Sequence, residues 1–301
     1  MILAYTVFAG ISDALLSGSL EALVYDSYKQ DKNEGEIAKA FSTNSFWYQI
    51  ALVIGTLSGG FLYQIWYQLP FILHGTCLAI ATFLSFGFIE PKIDSEHFTL
   101  RNYLKQMRDG TKEAFRHPQV ARLSIYYVIV AGISWSCTLY FNNYMFVALG
   151  FNNLQRGLLE GGLRLINILV LTKIISSSGF FSKRNTILFF PVILALSLAP
   201  GIFLKGFWAL PFVGGAMITT TTRFVILSKF MNDEFSSKYR ATAISSLSML
   251  TGIVFSVITI GSGPIMQYGG GVKTMYTLLG VASIIIVAPL SYIVLKSYSR
   301  K

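Results

Sequence analysis

Several polar side chains sit inside stretches that are otherwise apolar enough to pass through lipid. Asp13, Ser17, Glu21 and Tyr25 step by four residues, so they form one slowly drifting stripe on a helix. Glu160, Arg164 and Asn167 make a second stripe at i, i+4 and i+7, and Arg223 follows the run "ITTTT". An ion within hydrocarbon costs roughly 2.5–3.5 kcal/mol on insertion scales, unless it faces a partner or a wet cavity. A carboxylate so placed can carry a proton, and a guanidinium can hold an anionic group.

Each residue has a plainer reading beside the chemical one. Asp13 and Glu21 form a substrate-facing or proton-carrying wall; alternatively Asp13 pairs structurally and Glu21 is hydrated near the interior. Glu160 and Arg164 can neutralise each other across one helical turn; the sharper reading has Arg164 bind substrate or release Glu160 during proton exchange. Arg223 either snorkels to the nearer surface or faces inward, with Glu21 as counter-charge. Trp135, Thr138 and Asn142 recur at helical spacing and form an aromatic and polar wall, or simply pack between helices. Asp26, at a span end, is read as a contact of a cytoplasmic gate. His74 reads as structural, and Trp66, Tyr67, Trp208 and Tyr268 fit an interfacial aromatic belt.

The elements that must position these groups follow from composition. The 301 residues are 53% hydrophobic and 13% charged, with a mean hydropathy of +0.57; ordinary soluble domains carry about 25% charged residues. Apolar runs near the length of about 20 residues needed to cross a bilayer follow one another with short polar breaks. The expectation is an all-α polytopic membrane protein with about nine transmembrane helices, near 3–26, 43–66, 69–90, 122–149, 156–177, 185–204, 206–231, 241–266 and 273–296. The weakest divisions are "YQLP" and "LKGF". Cys77 and Cys137 both lie in apolar runs and read as packing residues.

The net charge of +10 does not point to nucleic acid, because the basic residues sit in loops between apolar runs. With loops placed alternately, 18 of the 24 Lys and Arg fall on one side and 3 on the other, while Arg164, Lys173 and Arg223 remain within spans. Lys and Arg are retained in the cytoplasm, which puts the C-terminus inside and Met1 outside. No basic n-region or cleavage site precedes the first span. Either that span inserts with its N-terminus out, or the chain is the remainder of a longer protein.

The chain divides into residues 1–90, a partial N-terminal half; 91–121, a cytoplasmic linker; and 122–301, a C-terminal half of six helices. In the linker, Leu100, Tyr103, Leu104, Met107, Thr111, Ala114 and Phe115 recur at helical spacing, with Arg101, Lys105, Arg108 and Lys112 on other faces. It reads as an amphipathic helix at the anionic inner membrane surface, or as a solvated connector. The two halves echo each other: a long span, an acidic and basic turn, then Lys39-Ala40-Phe41-Ser42 against Arg240-Ala241-Thr242-Ala243. Glycines in "GTLSGGFL" and "TIGSGPIM" give close-packing or kinked segments to the helices that follow.

A family resemblance rests on three stretches. "SGSLEALVYDSYKQ" looks like the fourth helix of bacterial major facilitator superfamily transporters, "YRATAISSLSM" resembles their eleventh-helix entry, and "RHPQVARL" resembles the approach to their seventh. The resemblance covers essentially the whole chain. It implies a twelve-helix fold represented from the fourth helix onward, alternating access and a central substrate cavity. The family's Gly-Asp-Arg-Gly-Arg loop would lie ahead of residue 1. Its second-half echo, "SSSGFFSKRN", keeps Lys183 and Arg184 but lacks the acidic residue, and Arg240 joins these as a gate candidate. The glycine-proline motif of the family's antiporters is not matched by "GTLSGGFLYQ".

The function expected is a secondary transporter of a small organic solute in the plasma membrane. Proton-coupled efflux is the expected direction, from a monomer without cofactor, metal or nucleic acid. The alternatives are a non-transporting remnant of such a permease and a membrane-embedded enzyme. Against the enzyme, the sequence has no H-E-x-x-H, nucleophile elbow or Walker motif, and His74, His97 and His117 are scattered.

Overall fold

A computed structural model describes residues 36–89, 99–176, 182–223, 227–236 and 239–298, with isolated positions ahead of residue 36. Asp13, Glu21 and Asp26 lie outside the described residues. All regular elements among them are helical, as lipid requires of any spanning segment whose backbone must satisfy its own hydrogen bonds. Residues 1–97 form one compact unit and residues 98–301 another.

In the first unit, α1 (Ile37–Ile65) ends where Trp66 turns extended, at φ −159° and ψ 122°. A short turn then leads to α2 (Leu69–Ser85), which carries Pro70 in its first turn. Proline costs nothing there, because that N–H has no partner within the helix. The "YQLP" division is thus a real turn. Hydroxyls inside α1 bond back along the helix, Thr56 to the Leu52 carbonyl and Ser58 to that of Ile54, both at 2.7 Å. No residue of α2 is buried, and Phe71, Phe83 and Phe86 are more than 70% exposed. Such a surface is untenable in water and suited to acyl chains. Of the expected close-packing ridge of Gly55, Gly59 and Gly60, the first two have no neighbouring atom among the described residues within 4 Å of where a Cβ would stand.

The second unit opens with α3 (Leu100–Ala114), capped by the Thr99 hydroxyl, which accepts from the Asn102 amide at 3.2 Å. Next comes α4 (Pro118–Ser136), which passes through a π-helical turn at Cys137–Phe141 into α5 (Asn142–Ala148). α6 (Asn153–Ser176) and α7 (Lys183–Leu198) follow. Two 3-10 turns, Gly201–Phe203 and Gly206–Ala209, resolve the "LKGF" break and lead to α8 (Leu210–Thr222). α9 (Ser228–Glu234), α10 (Arg240–Gly261), α11 (Gly263–Tyr268) and α12 (Gly271–Ala282) come next. A second π turn, Ser283–Val287, joins α12 to α13 (Ala288–Tyr298). The "GSGP" segment interrupts its span at Ser262, with Pro264 starting the short α11.

Among the described residues, Phe46–Ile65, Pro118–Ala148, Lys183–Phe203, Thr242–Tyr268 and Gly271–Tyr298 are long and apolar enough to cross a membrane. Three expected spans are less clear-cut by length and composition. α2 is shorter, α6 carries Arg156, Glu160, Arg164 and Lys173, and α8 is separated from α9 by residues only partly described.

Helices in lipid gain little from a hydrophobic effect between them, so close van der Waals packing has to hold them together. Glycines provide it here. A Cβ on Gly132 of α4 would meet Val254 Cγ1 of α10 at 2.3 Å, and one on Gly280 of α12 would stand 2.1 Å from the Ala199 amide nitrogen at the end of α7. The buried core between these contacts includes Tyr126, Phe141, Phe146, Phe190 and Tyr276. Tyr126 would be costly in it without a partner, and its hydroxyl donates to the Ile187 carbonyl at 2.6 Å.

α3 is docked on α10. Gly110 lies so close that a Cβ would stand 2.6 Å from the Thr242 backbone carbon. The Thr111 hydroxyl donates to Ser246 Oγ at 3.2 Å, and Ser124 Oγ of α4 donates to the Ala114 carbonyl at 2.7 Å. Only part of the expected apolar stripe is used, since Ala114 is fully buried while Leu104 is 56% exposed.

Candidate functional site

A polar seam runs between α4 and α8. Thr220 Oγ1 donates to the Ser134 carbonyl at 2.9 Å and lies 2.8 Å from Thr138 Oγ1. Further along the same pair of spans, Arg223 Nη1 donates to the Tyr127 hydroxyl at 2.9 Å, with the guanidinium carbon 5.3 Å from the centre of that ring. Arg223 is only 3% exposed, so it does not snorkel to either surface. Thr219, Thr220 and Thr222 are buried around it.

The π turn reshapes the face that sequence spacing assigned to Trp135, Thr138 and Asn142. A wider turn delays the chain by about one residue relative to an α-helix. Trp135 packs against Phe255 of α10 with ring centroids 5.5 Å apart. Asn142 is 1% exposed; its Oδ1 accepts from the Tyr276 hydroxyl, and its Nδ2 has no partner among the described residues.

On α6, Arg164 Nη2 donates to Glu160 Oε1 at 2.7 Å. Their side chains are 22% and 16% exposed, and Asn167, one turn on, is buried. The pair is therefore partly screened from its surroundings without being sealed. Arg156, at the start of this helix, bonds Asn153 Oδ1 at 3.2 Å.

A second cluster gathers one end of the bundle. Glu234 Oε1, at the end of α9, accepts from Lys183 Nζ of α7 at 2.5 Å and from the Tyr298 hydroxyl of α13 at 2.8 Å. Lys183 also sits 3.7 Å over the Tyr298 ring. Arg116 bridges Glu113 at 2.9 Å and donates to the Glu234 carbonyl at 2.5 Å, while Glu113 accepts from the Ser236 amide at 2.8 Å. Burial alone would raise both carboxyls. For Glu113 the Ser236 hydrogen bonds and the Arg116 and His117 charges outweigh it, and the group is held below its ordinary value of 4.5. For Glu234 the bonds from Lys183 and Tyr298 and the nearby Arg116 charge do the same.

A sequence model of the Major Facilitator Superfamily matches residues 1–259. The chain belongs to the major facilitator superfamily. It is accordingly a membrane transporter, and the helices that make up every regular element among the described residues are of that kind. Searches against curated proteins and against solved structures returned no significant match.

Within this transporter, the structure gives most of the described candidates a partner that sequence spacing did not supply. Arg223 meets Tyr127, Thr138 meets Thr220, Asn142 meets Tyr276 and Lys183 meets Glu234. Glu160 and Arg164 meet each other, as their spacing predicts. Arg184 and Arg240 are exposed; Arg240 Nη2 lies 3.5 Å from the Phe235 carbonyl. Tyr127 was recoverable, because it shares a heptad face with Ser134 and Thr138. Glu234 stands in the acidic and basic turn that precedes Arg240, but its pairing with Lys183, itself a gate candidate, and with Tyr298 joins residues distant in the chain and carries no local signal. Among the described residues no group of three His, Cys, Asp or Glu could hold a metal.

Proposed function

We propose that the chain exports a small organic solute by alternating access, with protons as the coupling ion, acting as a monomer in the plasma membrane. The C-terminus, and with it the end of the bundle holding Lys183, Glu234 and Tyr298, would face the cytoplasm. The basic bias of the loops supports that orientation. The observation that carries the reading is Arg223, a guanidinium kept inside an apolar bundle against the Tyr127 phenol. A buried cation is an expensive choice for packing alone, and it suits the recognition of a carboxylate or other polar substrate group.

In this reading Arg223 and Arg164 attract the polar end of the solute, while Trp135 and Asn142 contribute an aromatic and amide wall. Glu160, together with Asp13 and Glu21, serves proton exchange: protonation of Glu160 would free Arg164 from its 2.7 Å partner. Lys183, Arg184, Arg240 and Asp26 belong to the cytoplasmic gate. The Glu234 contacts with Lys183 and Tyr298 tie the ends of three spans together, and have to loosen or move as one body when that side opens.

The test is solute accumulation in proteoliposomes under an imposed pH gradient, with a panel of amphipathic and anionic solutes. Accumulation should follow the gradient, collapse with a protonophore, and fall in E160Q, R164Q and R223Q. Transport of a solute that is indifferent to the protonophore would overturn proton coupling, and wild-type rates in all three variants would overturn the site.

A further inference from the structure

Arg101, Lys105, Arg108 and Lys112 of α3 recur at i, i+4, i+7 and i+11, which places them within about 60° of arc on one face of the helix. All four are exposed, and none has an ion-pair partner among the described residues. The opposite face is pinned to α10 through Gly110, Thr111 and the buried Ala114. The cations therefore cannot turn inward by rolling the helix. An open groove of about 620 Å3 runs along the stripe, lined by Arg101, Asn102, Leu104, Lys105, Arg108 and Asp109. Leu104 sits at its edge, 56% exposed. Only residues 115–117 separate α3 from the membrane span beginning at Pro118, which tethers the Lys112 end of the stripe to the start of that span.

We propose that this face of α3 binds the phosphate headgroups of anionic phospholipids, with Arg101, Lys105 and Arg108 on the phosphates and Leu104 against the uppermost acyl carbons. Charge complementarity selects the occupant: four cations in one row, against Asp109 as the one acid lining the groove, match a lipid surface of phosphodiesters, and a neutral surface leaves them unpaired. Because α3 rests on α10 through Gly110, the lipid would clamp the connector onto the bundle. The proposal depends on the chain spanning a membrane and not on its solute.

Thermal denaturation of the purified full chain in neutral detergent tests it, with phosphatidylglycerol, phosphatidylcholine or inorganic phosphate added. Phosphatidylglycerol should raise the melting temperature at low salt, and the other two should not. The concentration giving half the effect should rise about fivefold for each charge removed in R101Q, K105Q and R108Q. R101K/R108K should keep the wild-type response, which separates charge from fold. The proposal is overturned if R101Q/K105Q/R108Q responds to phosphatidylglycerol as wild type does, if phosphatidylcholine acts equally, or if inorganic phosphate competes and so marks a free-anion site.

Discussion

Lys183 and Glu234 stand 51 residues apart in the chain and meet at 2.5 Å, with the Tyr298 hydroxyl on the same carboxylate oxygen. One carboxylate thus joins the ends of three helices, α7, α9 and α13. Removing it in E234A leaves a lysine and a phenol without their acceptor, and hydrogen bonds to charged groups contribute about 1.5–3 kcal/mol each at most. The side chains are 22–28% exposed, so solvent screening reduces this, and a loss of about 1–2 kcal/mol is expected. A cycle of K183A, E234A and the double variant in thermal denaturation should show coupling; additive effects would mean that the contact holds nothing.

The two depressed carboxyls set a pH dependence. A group whose native value lies below its unfolded one contributes stability above the unfolded value, and loses it as pH falls through the native value. For Glu113 and Glu234 the unfolded reference is 4.5. The melting temperature should therefore be level above about pH 5.5 and decline below 4.5. E113Q/E234Q should start lower and decline less. An equal decline in both proteins would assign acid sensitivity to other groups.

The spans and the family were legible because hydropathy and helix length are local properties. The span expected at 122–149 is found at Pro118–Ala148, and that at 273–296 at Gly271–Tyr298. What was not legible depends on how helices meet. Gly132 and Gly280 give no local sign that α10 and α7 will press against them, whereas Gly55 and Gly59 gave such a sign and meet no atom within 4 Å among the described residues. Arg223 was visible as an anomaly and Tyr127 shared a face with Ser134 and Thr138, but pairing the two required knowing that α4 and α8 run side by side. The π turn at Cys137–Phe141 is hidden in an ordinary apolar run.

The glycine contacts make a contrast that can be measured. A methyl on Gly280 would sit 2.1 Å from a backbone nitrogen, which cannot give way as a flexible side chain can. G280A should cost at least 1–3 kcal/mol, about the usual price of overpacking. Gly162, inside α6, has no neighbouring atom among the described residues within 4 Å of where a Cβ would stand, so G162A should be neutral or stabilise by about 0.4–1 kcal/mol. Unfolding midpoints of the two variants in one detergent decide it, and equal shifts would refute the close approach of α7 and α12.

Arg223 allows function to be separated from fold. If its cation is present for the solute, the fold bears a desolvation cost that an apolar side chain of similar length would remove. R223M should then keep the melting temperature of the parent or exceed it, while solute accumulation falls at least about tenfold, the pattern of a site that trades stability for activity. R223K should keep part of the transport, since it retains the charge but not the planar fork that meets Tyr127. A structural Arg223 would give the reverse order, with R223M several degrees less stable and transport reduced only as far as folded protein is lost. Measuring both quantities on the same purified samples distinguishes the two, because only a substrate-facing guanidinium lets activity drop without the fold.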